Sequence, residues 1–286
     1  MHTLRRDSIS SSKGTCLRLV LAVLVLAMLP LGAAAQSAAA PDRVELRLGM
    51  QAFTQFTSAV RVDSASRGIG TQLRLETDVA LDERTRVARA DLVYHFNARH
   101  HVVLASYDIE RTGTRDVSRQ IRFGEQTFDF GTSVSASFDE EVVKLAYGYN
   151  VLLRPRATLG PSFGLHVMRF EVGLAVSALS RSYEARTTAP LPVVGVRGHY
   201  RIGDRWAISG ALDLFDVEVG DVKGVFRDVI LTFEHDTFDR IGFGFGFNLN
   251  SLDVSSGDDD FRGIIDLSFR SAMVYVKGGF GTRTSR

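Results

Sequence analysis

The sequence predicts an all-β fold, a 12-stranded antiparallel up-and-down β-barrel that spans a membrane. Three observations lead to this prediction. From Val44 onward apolar residues alternate with polar ones, a period of two that is typical of strands and not of helices. This region follows a secretory signal. The links between its segments are alternately short and long, as in transmembrane barrels with two different rims.

Residues 1–35 have the pattern of a secretory signal peptide. Basic residues are followed by an apolar run at 17–31 and by three alanines that end at Ala35, which is the usual order of the three regions of such a signal. The run contains Pro30 and is shorter than the about 20 apolar residues that a spanning helix needs. We therefore expect cleavage near Ala35 instead of a membrane anchor. The remaining divisions are a short periplasmic segment at 36–43, the barrel at 44–280 and a tail at 281–286.

The composition of the chain after cleavage excludes stabilisation by disulfides and argues against nucleic-acid binding. Cys16 lies within the signal, so the exported chain has no cysteine and cannot depend on disulfides. Of the 34 basic and 33 acidic residues, four basic residues and one acidic residue lie within 1–35. The exported chain thus has a net charge of about −2, whereas nucleic-acid binding needs a basic face. We expect no nucleic acid partner.

In twelve segments apolar residues occupy alternate positions, and each of these segments is a predicted strand. They are 44–50, 56–62, 73–79, 92–96, 103–109, 143–149, 159–167, 194–202, 206–214, 225–233, 243–249 and 261–275. In RIGFGFGFNLN, residues 240–250, glycines alternate with phenylalanines. We expect the phenylalanines to contact lipid. The glycines either leave room for long side chains in the lumen or only allow the sheet to curve.

The links between the segments fall into two groups. The short links are 63–68, 97–99, 152–156, 203–205 and 236–240, and the main long links are 112–132, 179–190 and 251–260. Bacterial membrane barrels have short turns at the periplasmic rim and longer loops outside. Within the longest link, IRFGEQTFDF at 121–130 is compatible with an additional hairpin.

Aromatic residues favour a membrane barrel over a soluble one. Alternation alone is also typical of a soluble sandwich or lipocalin-like barrel, which turns its apolar face inward. Here several aromatic residues near the predicted periplasmic ends form a girdle suited to a lipid–water boundary. They are Tyr94, Phe96, Tyr147, Tyr149, Tyr200, Trp206 and Tyr275. The apolar parity should therefore face lipid on every strand.

The opposite parity carries charged and polar residues that we expect to line the lumen. Their arrangement is either a structural ion-pair network that fills a narrow barrel or a path for a small polar solute. These candidate lumen residues are Arg47, Arg74, Glu76, Asp91, Asp108, Glu110, Arg197, His199, Asp213, Asp228, Glu234, Asp266 and Arg270.

Several stretches resemble a group of proteobacterial outer-membrane β-barrel proteins that are mostly of unassigned function. They include GTQLRLETDVAL, IRFGEQTFDFGT, PLPVVGVRGHYRIGDRWAISG and FRGIIDLSFRSAMVYV. The resemblance implies a location in the outer membrane of a Gram-negative bacterium. It also implies contact with outer-membrane lipids and lipopolysaccharide, and with the barrel-assembly machinery during insertion. The end of the chain departs from the group, because Phe280 is followed by GTRTSR.

The search for catalytic residues gives no motif. Six histidines follow the signal, and none has a serine two residues further on, the spacing that outer-membrane lipid hydrolases use to activate a hydroxyl. Ser162 and His166 share a face but lie about 13 Å apart along a strand. A cross-strand Ser/His site remains open.

Metal sites have no better support. His100 and His101 point to opposite faces of a strand, and the aspartates of SLDVSSGDDD lack the EF-hand spacing. We expect no metal and no cofactor. The favoured function is a non-enzymatic envelope protein, either a narrow pore or binding barrel for small polar solutes or an integrity protein. The alternatives are an outer-membrane lipid hydrolase and a soluble periplasmic ligand-binding barrel.

Overall fold

The structure, a computed structural model, describes residues 42–176, 181–257 and 262–281. The predicted signal peptide, Asp258–Asp260 and the end of the tail lie outside the described residues. The strands are β1 Val44–Val62, β2 Leu73–Arg74, β3 Thr85–His95, β4 His100–Asp116, β5 Ile121–Phe123, β6 Gln126–Phe128, β7 Ser133–Tyr149, β8 Leu152–Leu153, β9 Ala157–Val176, β10 Arg181–Ile202, β11 Trp206–Val219, β12 Val222–His235, β13 Ile241–Gly257 and β14 Arg262–Phe280. One short helix, α1, is formed by Leu75–Asp78.

The long strands form a closed antiparallel ring of ten. Its order is β10, β11, β12, β13, β14, β1, β3, β4, β7 and β9, and β9 pairs with β10 to complete it. The short strands β2 and β8 pair with β1 and β9 beside the ring, and β5 pairs only with β6. The prediction of twelve barrel strands was wrong. Segments 44–50 and 56–62 belong to the single strand β1, and segment 73–79 is mostly β2 and α1.

A β-bulge in β1 explains why one strand looked like two. The register with β14 shifts between Phe53 and Gln55, so Thr54 is an extra residue without a partner. Before it the even-numbered residues of β1 point outward, and after it they point inward. Leu48 points outward and is 53% exposed, whereas Phe56, of the same parity, points inward and is 3% exposed.

The two ends of the barrel have opposite polarity. We call the half that carries the short turns at 97–99 and 203–205 the turn half, and the other the loop half. In the turn half the outward side chains are apolar and exposed, and together they form the apolar belt. Its large members include Leu48, Leu92, Leu104, Leu145, Phe163, Leu165, Val194, Val196, Phe243, Phe245, Phe247, Val274 and Val276.

In the loop half the apolar side chains point inward, as in a soluble barrel. This loop core includes Phe53, Phe56, Ile109, Phe138, Met168, Phe170, Phe226, Leu252, Leu267 and Phe269, each at most 3% exposed. The prediction that Ile109, Leu267 and Phe269 face lipid was therefore wrong, since the strands extend beyond the apolar belt and bury these residues in their own interior. Tyr275 also points inward and does not join an outer girdle.

Two of the three long links, 179–190 and 251–260, were assigned incorrectly, because most of their residues continue the strands. β10 already begins at Arg181 and β13 runs to Gly257. The hairpin in the longest link is present as β5 and β6, with Ile121, Phe123 and Phe128 buried in the loop core. Leu73 and Leu75, around the start of α1, are buried in the same core. The mouth of the loop half is thus filled by the chain's own apolar side chains.

No helix among the described residues is long and apolar enough to cross a membrane.

The bulge gives a test of the polarity reversal. Deletion of Thr54 should turn residues 55–62 over, exposing Phe56 and Val60 and burying Arg61, so we expect loss of the folded barrel. Thr54→Ala keeps the extra residue and removes only a hydrogen bond to the Arg270 carbonyl, so it should fold. Heat-modifiable gel migration and circular dichroism measure both. A stable, native-like deletion variant would contradict this account of the bulge.

Candidate functional site

A polar network fills the inside of the turn half, where the strands turn their charged parity inward. Part of it surrounds Glu234 on β12. The Glu234 carboxylate lies 3.1 Å from Arg47 Nε and 2.9 Å from Lys277 Nζ, and it accepts a hydrogen bond of 2.7 Å from the Tyr275 hydroxyl. Arg47 also pairs with Glu45 at 3.1 Å. Both basic groups are thus held by the buried carboxylate of Glu234.

The glycines of β13 make room for this network. A Cβ placed on Gly244 would lie 2.4 Å from the Tyr275 ring, well inside van der Waals contact. Phe243 and Phe245 on the same strand point outward into the apolar belt. Of the two roles expected for the glycines, the space for a long side chain is therefore the one that the structure shows at Gly244.

Asp228 on β12 binds side chains from across the barrel. Lys144 Nζ, on β7, lies 2.6 Å from Asp228 Oδ2, although β7 and β12 are not neighbours in the ring. Asn248 and Asn250 on β13 donate to Oδ1 at 2.7 and 3.2 Å. All four side chains are buried, so this contact joins two separate parts of the barrel wall across the lumen.

A second buried carboxylate, Asp213 on β11, lies close to Asp228. Arg197 binds Asp213 at 2.8 Å, and His166 Nε2 lies 3.4 Å from the same carboxylate. His166, Asp213 and Asp228 each offer a ligand atom, all within 4.8 Å of one another. Lys144 and Arg197 already neutralise the two carboxylates, however, so a divalent cation would add net charge to a buried place. The arrangement fits an ion-pair network better than a metal site.

The loop core closes the lumen beyond this network. Val142 follows Lys144 towards the loop end of β7, and Phe226 follows Asp228 on β12, both pointing inward and fully buried. On β1 the buried Phe53 likewise comes next to the polar Gln51 on the inward face, and on β9 the buried Met168 comes next to His166. Within the described part of the chain, the polar interior of the turn half therefore ends against apolar side chains.

One buried ion pair stands inside the loop core. Arg111 on β4 lies 2.8 Å from Glu76 of α1 and donates to Ser58 of β1 at 2.8 Å. Its guanidinium also lies 4.1 Å from the centre of the Phe56 ring. Burial raises the pKa of Glu76, but hydrogen bonds from Ser58 and Arg111 outweigh burial, and the pKa is lowered. This pair ties α1 to the barrel wall.

The predicted lumen residues divide into three sets. Those that point inward in the turn half are Arg47, Asp91, Arg197, His199, Asp213, Asp228 and Glu234. Glu76 lies in α1, and Arg74 is exposed on β2. In the loop half of β4 and β14, the apolar residues face the core and the charged residues alternating with them face outward. Four predicted lumen residues therefore do not line the lumen: Asp108, Glu110, Asp266 and Arg270.

Outward charges form a ring directly beyond the apolar belt, which we call the collar. It consists of the first outward charged residue after the belt on most strands. Its members are Arg86, Asp108, Glu141, Arg169, Arg186, Asp216, Arg227, Asp253 and Arg270. The collar marks the level at which the outer surface changes from apolar to charged.

Sequence reasoning missed one cross-strand pair. Ser209 on β11 lies directly opposite His199 on β10, and the Ser209 hydroxyl oxygen is 3.0 Å from His199 Nδ1. The two residues lie on different strands, and the pairing of two strands cannot be obtained from sequence spacing. The sequence prediction of lumen residues also omitted Lys144, Gln51 and Asn248. Each lies at an inward-facing position of its strand.

Comparison with known proteins gives the fold and no family. No family model matches the chain, and no curated protein matches its sequence. Among solved structures, the outer-membrane protease OmpT of Escherichia coli is similar with a TM-score of 0.50 at 10% identity, over 82% of this chain and 97% of OmpT. The transport unit of the autotransporter AIDA-I, also from Escherichia coli, has a TM-score of 0.41 at 8% identity, over 96% and 100% of the two chains. The likeness to OmpT supports the fold of an outer-membrane β-barrel.

The Lys144–Asp228 pair gives a prediction for stability. Lys144→Ala should lower the free energy of unfolding by about 3–5 kcal/mol, because Asp228 would remain as a buried charge without its cation. The double variant Lys144→Met/Asp228→Leu should recover most of this loss. Urea unfolding in detergent micelles measures both. If the single variant is as stable as the double variant, the pair does not hold the barrel together as described.

Proposed function

We propose that the chain is an integral protein of the outer membrane of a Gram-negative bacterium, where it acts as a closed, non-enzymatic barrel that contributes to envelope integrity. The exposed apolar belt supports a place in a bilayer, since a soluble periplasmic barrel would leave Phe245, Val274 and their neighbours in water. The closed antiparallel ring supports it as well, because it leaves no unpaired strand edge. The predicted signal 1–35 supports export.

The observation that carries the integrity role is the loop core. A pore needs a continuous open polar path, whereas most inward side chains beyond Asp228 and Lys144 are apolar and buried. The charged side chains among them, Arg111 and Glu140, are themselves at most 2% exposed. The fixed charges of the turn half are also paired with one another instead of lining open water. A barrel of this kind holds its shape in the membrane and exposes its loop half to the outside without admitting solutes.

Planar-bilayer recording tests the closed barrel. The refolded full-length barrel, verified as folded by heat-modifiable migration, should insert without regular conductance steps, because apolar side chains block its axis. Cells that lack the protein should become more sensitive to detergents and large apolar antibiotics without a change in uptake of small solutes. Reproducible steps that change in size with Arg197→Gln would instead support the narrow pore.

A second candidate function rests on the Ser209–His199 pair. Its imidazole could remove the hydroxyl proton as Ser209 attacks an acyl carbon. Among the described residues no carboxylate hydrogen-bonds to the other ring nitrogen, so the third group of a catalytic triad is missing. Both side chains face the lumen and not the apolar belt, so a substrate would enter the barrel from the turn end.

A fluorophosphonate probe tests this second candidate. Hydrolytic activity predicts labelling of the wild-type barrel, loss of labelling in Ser209→Ala, and unchanged labelling in the control Ser271→Ala, whose hydroxyl accepts a hydrogen bond from Gln51. We expect no labelling, since the pair lacks an orienting carboxylate. Labelling that depends on Ser209 would replace the integrity role with an enzymatic one.

A further inference from the structure

Three arginines of the collar differ from the others in having no partner. Arg86 on β3, Arg227 on β12 and Arg270 on β14 are exposed. Within residues 42–176, 181–257 and 262–281, none of their side chains makes a hydrogen bond or an ion pair. Three unneutralised guanidinium groups thus lie on one side of the barrel, across the neighbouring strands β12, β13, β14, β1 and β3.

The opposite side of the collar is neutralised or acidic. Arg169 on β9 pairs with Glu141 at 2.8 Å, and Arg186 on β10 pairs with Glu171 at 2.9 Å. On the adjoining strands, acidic residues face one another in register, Asp108 opposite Glu141 and Glu110 opposite Asp139. The side with the unpaired arginines, which we call the basic sector, also contains the acidic Asp253, which lies in register opposite Asp266. It is nevertheless the side of the collar on which unpaired arginines outnumber the acidic collar residues, three to one.

The basic sector lies where the apolar belt ends. On the outward face of β14, Val276, Val274, Ala272 and Arg270 follow one another from the apolar belt towards the loop end. Arg227 stands in the same relation to Val229, and Arg86 to Ala88. If the belt is in the hydrocarbon, as the proposed function holds, these guanidinium groups are at the level of the lipid head groups.

We propose that Arg86, Arg227 and Arg270 bind the phosphate groups of lipids in the outer leaflet, those of lipopolysaccharide. This inference rests on the proposed membrane location. A guanidinium binds phosphate oxygens through two parallel hydrogen bonds, and basic residues beside a bilayer attract anionic lipids. Arg227 and Arg270 flank β13, where Arg227 lies opposite Ser251 and Arg270 opposite Leu249. Two strand spacings and this two-residue offset place them about 12 Å apart, so each can bind its own phosphate.

A lipid fits this sector better than a soluble partner does. The arginines continue directly into the belt, so one molecule can place its acyl chains on Leu249 and Val229 and its phosphate on Arg227. A soluble protein partner would contact only the arginines of the basic sector and not the apolar belt beside them. The acidic side of the same collar would repel a phosphate, which restricts such a lipid to one face of the barrel.

The test measures lipid binding to the full-length barrel in phosphatidylcholine vesicles that contain bisphosphorylated lipid A, with dephosphorylated lipid A as comparison. The triple variant Arg86→Gln/Arg227→Gln/Arg270→Gln should bind bisphosphorylated lipid A roughly a hundredfold more weakly, about fivefold for each arginine. Arg169→Gln, which removes a collar arginine already paired with Glu141, should change affinity less than about twofold. Inorganic phosphate at the same concentration should not compete.

The outcomes separate this inference from the proposed function. A wild-type barrel that does not insert into the vesicles overturns both. If it inserts, but binds phosphorylated and dephosphorylated lipid equally or is unaffected by the triple variant, only the phosphate site is overturned. An Arg169→Gln effect as large as that of Arg270→Gln, or competition by inorganic phosphate, overturns the assignment to a lipid held by the basic sector. Heat-modifiable migration verifies that each variant is folded.

Discussion

The structure depends on closure of the ring between β9 and β10. Every long strand then has two hydrogen-bonded neighbours, so the backbone polar groups at the level of the apolar belt are satisfied without water. Closure also gives the barrel an enclosed interior, and this permits charged residues such as Glu234 and Asp228 to be buried beside the cations that neutralise them. The belt and the ion-pair network are two results of the same constraint.

The reversal of polarity along the strands separates this barrel from an open channel. In the turn half the interior is ionic, and in the loop half it is a hydrophobic core completed by β5, β6 and Leu75 of α1. Aromatic rings pack closely there, as between Phe53 and Phe269 at 4.9 Å, and the charged side chains that this core also contains, Arg111 and Glu140, are buried. The paired charged groups in the turn half therefore act as the filling of a narrow barrel.

The sequence predicts the turn half well, because there one parity is apolar and the other is charged on almost every strand. Phe243, Phe245 and Phe247 lie outward, and Arg197, Asp213 and Glu234 lie inward, as their alternation indicates. It does not predict the loop half. The alternation of Ile109 with Asp108 continues without interruption, and period alone does not distinguish an apolar face in lipid from one in a core. The bulge at Thr54 has no signature in spacing, and the partners of Lys144 and Ser209 come from strands that only the ring brings together.

The collar has a consequence for biogenesis. If the apolar belt lies in a bilayer, as proposed, the collar charges and the acidic side chains beyond them, such as Glu110 and Asp139, must pass through the hydrocarbon to reach the far side. A charge at the bilayer midplane costs about 2–4 kcal/mol for an arginine or lysine. Strands that crossed one at a time would meet this barrier repeatedly and would also expose unpaired backbone. The outward charges therefore favour insertion of neighbouring strands together, with the hairpins already paired before they traverse the bilayer.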